Sequence, residues 1–138
     1  MDSCIFCKII KGEIPSYKIY EDDDIFVMLD INPLSKGHTL VFPKQHFENI
    51  YDIPEELFAK IMLKSKRLAE KLKEKLNCEG IILQQNSGQK AGQSVFHLHV
   101  HLKPVFKDTE IPYEKPLRKK LTEKEFSDLQ NQLLLKKL

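Results

Sequence analysis

Three of the five histidines in this chain sit at alternate positions of one short stretch, Phe96-His97-Leu98-His99-Val100-His101-Leu102. On a β-strand successive side chains point to opposite faces, so the three imidazoles share one face and Phe96, Leu98, Val100 and Leu102 the other. A helix would spread positions i, i+2 and i+4 around its cylinder, and the aromatic and branched spacers suit a strand. Imidazole can ligate a metal, donate or accept a proton, and attack an electrophile near neutral pH. A merely solvated face has little reason to use it three times in register. One ion held by all three would be strained, because same-face neighbours on a strand lie roughly 7 Å apart. The stretch therefore points to a division of labour among His97, His99 and His101.

The loop that delivers the chain into this stretch, residues 86–94, carries Asn86, Gly88, Gly92, Gln93 and Ser94. Backbone N–H groups at glycines, an amide and a hydroxyl suit phosphate oxygens, although hairpin loops use glycine for backbone reasons alone. Neither GxxxxGK[ST] nor GxGxxG occurs, which argues against a P-loop and a dinucleotide fold. Near the start stands Cys4-x-x-Cys7. No strand precedes it to make a thioredoxin motif, and as half of a tetrahedral zinc site it needs two more N or S ligands. His46 and one histidine of the strand are available; two packed cysteines are the plainer alternative. Cys78, the third cysteine, has no obvious partner and suits packing.

The elements that must position these groups form a single domain of 138 residues. Charged residues are 30% and the net charge is +2, so no global field selects nucleic acid or a membrane as partner. No apolar run spans a bilayer and no signal peptide is evident; an odd cysteine count fits a reducing cytoplasm. Residues 4–12 read as a short amphipathic turn or helix ending at Gly12. Strands are expected at 18–21, 25–30, 38–42 and 81–85, the first two joined as a hairpin through the acidic run 22–24. Asp52 offers an N-cap to a long helix whose inner face is Leu57, Ile61, Leu68, Leu72 and Leu76. Thr122-x-x-Glu125 is a capping box that opens a last helix, with Phe126, Leu129, Leu133 and Leu134 inward. The expected class is α+β, a mostly antiparallel sheet with one long helix and a C-terminal helix.

The chain resembles the histidine triad (HIT) superfamily of nucleotide hydrolases and transferases. His97-Leu98-His99-Val100-His101-Leu102 is similar to its His-φ-His-φ-His-φ signature. So, in order, are residues 5–10, Glu13-Ile14-Pro15, Leu29-Asp30-Ile31-Asn32-Pro33, residues 37–44 and Ala91-Gly92-Gln93-Ser94-Val95. The resemblance covers roughly residues 4–106. It divides the chain into a triad domain, 1–106, and a C-terminal extension, 107–138, with a helix from about 122.

The resemblance implies that His99 attacks the α-phosphorus of a nucleotide, that His101 assists the leaving group and that His38 supports the site. Asn86, Gly92, Gln93 and Ser94 would hold phosphate oxygens and Asp30 the ribose hydroxyls. Phe6, Ile14, Met28 and Ile31 would wall the base. It also implies a structural zinc on Cys4, Cys7, His46 and His97, and a homodimer. The implied activity is hydrolysis of purine nucleoside phosphoramidates through a nucleotidyl-histidine. A dinucleoside polyphosphate hydrolase is the alternative, since Leu102-Lys103-Pro104 resembles that branch; a nucleotide-binding regulator with vestigial activity is a third.

Overall fold

A computed structural model of the chain describes residues 3–109, 111 and 120–138. In order the elements are α1 (Ile5–Ile10), β1 (Lys18–Glu21), β2 (Ile25–Leu29), β3 (Thr39–Pro43), α2 (Glu55–Leu76), β4 (Gly80–Gln85), a 3-10 turn (Gln89–Ala91), β5 (Val100–Val105) and α3 (Glu123–Leu133). The strands form one antiparallel sheet in the order β1-β2-β3-β5-β4. The α+β architecture is the one expected from the residue pattern.

Local chemistry sets the turns. The acidic run closes the first hairpin because Asp22 Oδ1 accepts from the backbone N–H groups of Asp24 and Ile25 at 2.9 and 2.8 Å. Thr122 and Glu125 make both bonds of the capping box at the start of α3. The long helix is different: its N-cap is Pro54, without a side-chain bond. Asp52 accepts instead from the N–H groups of Glu48 and Asn49, both at 3.0 Å, and so closes the preceding loop. It stands three residues before the first helical residue, too early to reach the free N–H groups of the first turn.

Both faces of the sheet are covered. Ile25, Val27 and Leu29 of β2, Val41 of β3 and Leu98, Val100 and Leu102 join the main core with Ile61, Leu68 and Leu72 of α2 and Phe126, Leu129 and Leu133 of α3. The intervening residues Phe26, Met28, Leu40 and Phe42 form a second cluster with Phe6 and Ile9 of α1. Two expected core residues lie outside. Leu134 is 53% exposed, because it ends α3 with an extended ψ of 131° and leaves the helical face. Phe96 is 42% exposed, because pairing of β5 begins at Val100 and the chain bends through residues 95–97, so the alternation does not reach it.

Candidate active site

The segment 97–101 enters β5 with Leu98 and Val100 buried in the main core. The strand alternation from 98 onward turns His99 and His101 to the opposite face, against the cluster beneath α1, where His97 also lies against Phe6 and Phe42. There Phe6 meets the rings of His97 and His99 edge-on, at centroid distances of 5.6 and 5.1 Å. The first two histidines precede the paired part of the strand, so their backbones are held by other contacts, among them Leu98 N–H donating to Phe47 O at 2.7 Å.

The hydrogen-bond network assigns the tautomers. His99 Nδ1 lies 2.7 Å from the carbonyl of His97, so the proton is on Nδ1 and the Nε2 lone pair is free for attack. Leu34 N–H donates to His38 Nδ1 at 3.0 Å, which leaves the proton of neutral His38 on Nε2. That proton faces His101 Nδ1 at 3.0 Å, with Asp30 Oδ2 at 3.6 Å from the same nitrogen. His101 therefore accepts at Nδ1 and carries its own proton on Nε2. Burial pushes His99 below the usual histidine range against the raising effect of its bond to His97. Burial, with His99 and His38 nearby, takes His101 down to about 3. Both rings are neutral at pH 7, as a nucleophile and a hydrogen-bond donor require.

His99 and His101 line a cleft of about 230 Å³. Of the residues expected to bind a nucleotide, Phe6, Ile14, Met28, Asp30, Ile31 and Ser94 line it as well. Asn86, Gly92 and Gln93 do not, because they hold the loop together. Gln93 is buried; its Oε1 accepts from Gly88 N–H at 2.8 Å and its Nε2 donates to Glu48 O at 2.7 Å. Asn86 Nδ2 donates to Ala91 O at 2.6 Å. Gly92 has φ of +93°, and a Cβ there would meet Asn86 Nδ2 at 3.3 Å. Pattern reading missed Ile5 and Ile9 of α1 as cleft wall. It also missed Lys103, buried with Nζ donating to Gln84 Oε1 at 2.7 Å, although Lys103 continues the histidine alternation by one step.

A second group converges on the other side of Phe6. Cys4 Sγ, Cys7 Sγ, His46 Nδ1 and His97 Nδ1 all lie within 4.8 Å of one another. Individual separations are 3.4 Å for Cys4 to His97, 3.4 Å for Cys7 to His46, 3.7 Å for Cys7 to His97 and 3.2 Å for His46 to His97. Zinc bonds of about 2.3 Å to sulfur and 2.0–2.1 Å to nitrogen put neighbouring tetrahedral ligands roughly 3.3–3.8 Å apart, so the four fit. His97 Nε2 lies 2.8 Å from Pro43 O, which places its proton there and aims the Nδ1 lone pair at the group. Burial and the adjacent Cys4 raise the Cys7 thiol, so a cation is what would make a thiolate there.

A HIT domain model matches residues 11–108. "Protein hit" of Bacillus subtilis is 46% identical over 103 residues, 75% of this chain and 71% of that protein. An adenosine 5'-monophosphoramidase of Saccharomyces cerevisiae is 45% identical over 102 residues, 74% of this chain and 62% of the enzyme. The crystal structure of a Zn-bound histidine triad family protein from Mycobacterium smegmatis superposes with a TM-score of 0.82 at 34% identity, covering 96% of this chain and 94% of that one. With an antiparallel sheet that turns His99 and His101 into a cleft, the chain belongs to the HIT family.

Proposed function

We propose that the protein hydrolyses purine nucleoside phosphoramidates, releasing a nucleoside 5'-monophosphate and an amine through a nucleotidyl-His99 intermediate. The observation that carries this reading is the 2.7 Å bond from His99 Nδ1 to the His97 carbonyl, in a cleft shared with Asp30 and Ser94. It presents an unprotonated Nε2 to whatever the cleft holds. Attack forms a bond from Nε2 to the α-phosphorus and breaks the bond to the amine. Water then replaces Nε2 on phosphorus and returns the proton that the amine took up on leaving. His101 hydrogen-bonds the departing nitrogen through its Nε2–H, which His38 keeps in place by donating to Nδ1, and the amine takes its proton from solvent. Asp30 accepts the ribose hydroxyls, Ser94 a phosphate oxygen, and Phe6, Ile14, Met28 and Ile31 hold the base. Asn86, Gly92 and Gln93 act through the shape of the loop.

The same reading places a structural zinc on Cys4, Cys7, His46 and His97, where it would pin α1 to the sheet in a reducing cytoplasm. It also takes the chain as a homodimer, since β4 is an edge strand with Leu83 exposed. The dinucleoside polyphosphate alternative is less well supported. Asp30 is the charged carboxylate of the cleft, and no lysine or arginine lines it among the described residues, so additional phosphates would find no cation there. Mass spectrometry of the protein quenched during turnover of adenosine phosphoramidate tests the proposal. An adenylyl adduct on His99, and faster turnover than with diadenosine tri- or tetraphosphate, is expected. A protein that turns over without an adduct, or prefers the polyphosphates, contradicts it.

A further inference from the structure

Cys4, Cys7 and His46 touch no cleft residue's reacting atom, yet they join the nucleophile by two short routes. The first runs through His97. Its ring contributes Nδ1 to the cysteine–histidine group and binds Pro43 O through Nε2 at 2.8 Å, while its own carbonyl accepts the His99 Nδ1 proton at 2.7 Å. Ladder pairing of β5 starts only at Val100. The orientation of that carbonyl thus depends on the Leu98 bond to Phe47 O and on how firmly the His97 ring is held. The second route runs through Phe6, placed between Cys4 and Cys7 on a helix of six residues. A helix that short is not stable by itself. What fixes it here is the Cys4 cap and the stacking of Phe6 on Phe42 at 4.5 Å, to which an ion shared with His46 and His97 would add. Phe6 in turn sets the edge of the His99 ring at 5.1 Å, and Ile5, Phe6 and Ile9 wall the cleft.

We infer that filling the Cys4–Cys7–His46–His97 site positions the nucleophile, holding His99 in its Nδ1–H form through the His97 carbonyl and Phe6. Cys4, Cys7 and His46 are then positioning residues as well as metal ligands. By linkage, a ligand in the cleft and a metal in the site favour each other by the same factor. Only this last consequence rests on the nucleotide reading given above.

The test compares zinc-loaded protein with protein stripped by a chelator, and with His46→Asn, which removes a ligand that lies outside both α1 and the cleft. Nitrogen-15 NMR of the imidazoles at one fixed pH reads the His99 ring. One Nδ1–H tautomer is expected with zinc, and exchange between tautomers without it. If the His99 signals are the same in both states while those of His46 and His97 move, the inference is overturned. Should the stripped wild-type protein unfold, His46→Asn stands in for it, and a His99 ring unchanged between that variant and the zinc-loaded protein overturns the inference equally. In a second arm, adenosine 5'-monophosphate is expected to bind at least about 5-fold more weakly to the stripped protein. If it binds neither state while His99 still responds to zinc, the positioning role stands and the nucleotide reading falls.

Discussion

Two sets of metal-capable side chains lie on one face of the sheet, and they are built in opposite senses. Cys4, Cys7, His46 and His97 converge within 4.8 Å, and so do Asp30, His38 and His101. In the first set the Pro43 carbonyl occupies His97 Nε2 and turns the Nδ1 lone pair inward. In the second, Leu34 N–H occupies His38 Nδ1 and turns a proton inward, where His101 Nδ1 accepts it. The first set turns its lone pairs together, as a cation would require; the second is already satisfied by a hydrogen and would lose two bonds to bind one. Residue type and distance are the same in kind, and what separates a set able to take a metal from a proton-bearing pair is the backbone group behind each ring.

The largest effect should come from the ring between the two sets. His99→Ala is expected to lower turnover of adenosine phosphoramidate by roughly 10⁴-fold or more while zinc content and nucleotide binding persist. An adduct still trapped in that variant would move the nucleophile elsewhere. Next, metal analysis should find one zinc per chain rather than two, falling to none in Cys7→Ser. That variant's melting midpoint should drop by roughly 8–15 °C in calorimetry, the scale expected when a site filled well above its Kd is lost. Two zinc ions per chain would break the comparison outright.

The two sets should also respond differently to acid. Burial takes His101 from 6.5 down to about 3, so between those values the unfolded chain binds a proton there and the folded chain does not. The stability that a neutral His101 contributes is therefore complete above pH 6.5 and is lost as pH falls toward 3. In zinc-loaded protein, His101→Asn should flatten this acid limb by up to about 1.4 kcal/mol per pH unit, the slope of one proton. A limb of unchanged steepness in denaturant titrations would mean that His101 is protonated in the folded state.

What the sequence disclosed, and what it withheld, follows the range of the forces involved. The capping box at Thr122 and the hairpin at Asp22 were legible because both partners lie within three residues. The face shared by His97, His99 and His101 was legible because alternation is local. Phe96 was not, since where pairing of β5 begins depends on what β3 and β4 offer. Gln93 looked like a phosphate ligand because its amide is suited to one. Its actual acceptor is the carbonyl of Glu48, brought there from 45 residues away. Lys103 was overlooked because a lysine in a sheet reads as surface, whereas Gln84 on the adjacent strand receives it in the interior.

The smallest expected effect concerns Asp30, among the described residues the one carboxylate that faces both the cleft and a histidine pair. Its Oδ1 accepts from Asn32 N–H at 2.8 Å, and its Oδ2 lies 3.6 Å from His38 Nε2. Asp30→Asn keeps the size and one acceptor oxygen but removes the charge. The His38 proton is already committed to His101 Nδ1 at 3.0 Å, the shorter contact, so the pair should survive the change. The ribose hydroxyls lose a charged acceptor, which is worth roughly 1–2 kcal/mol. KM for adenosine phosphoramidate should therefore rise about 10-fold with kcat held within about 3-fold. The 2'-deoxy substrate, lacking one of the hydroxyls, should show a smaller rise. A fall in kcat at constant KM would place Asp30 behind His38 instead, with its charge serving the proton chain and leaving the sugar to other groups.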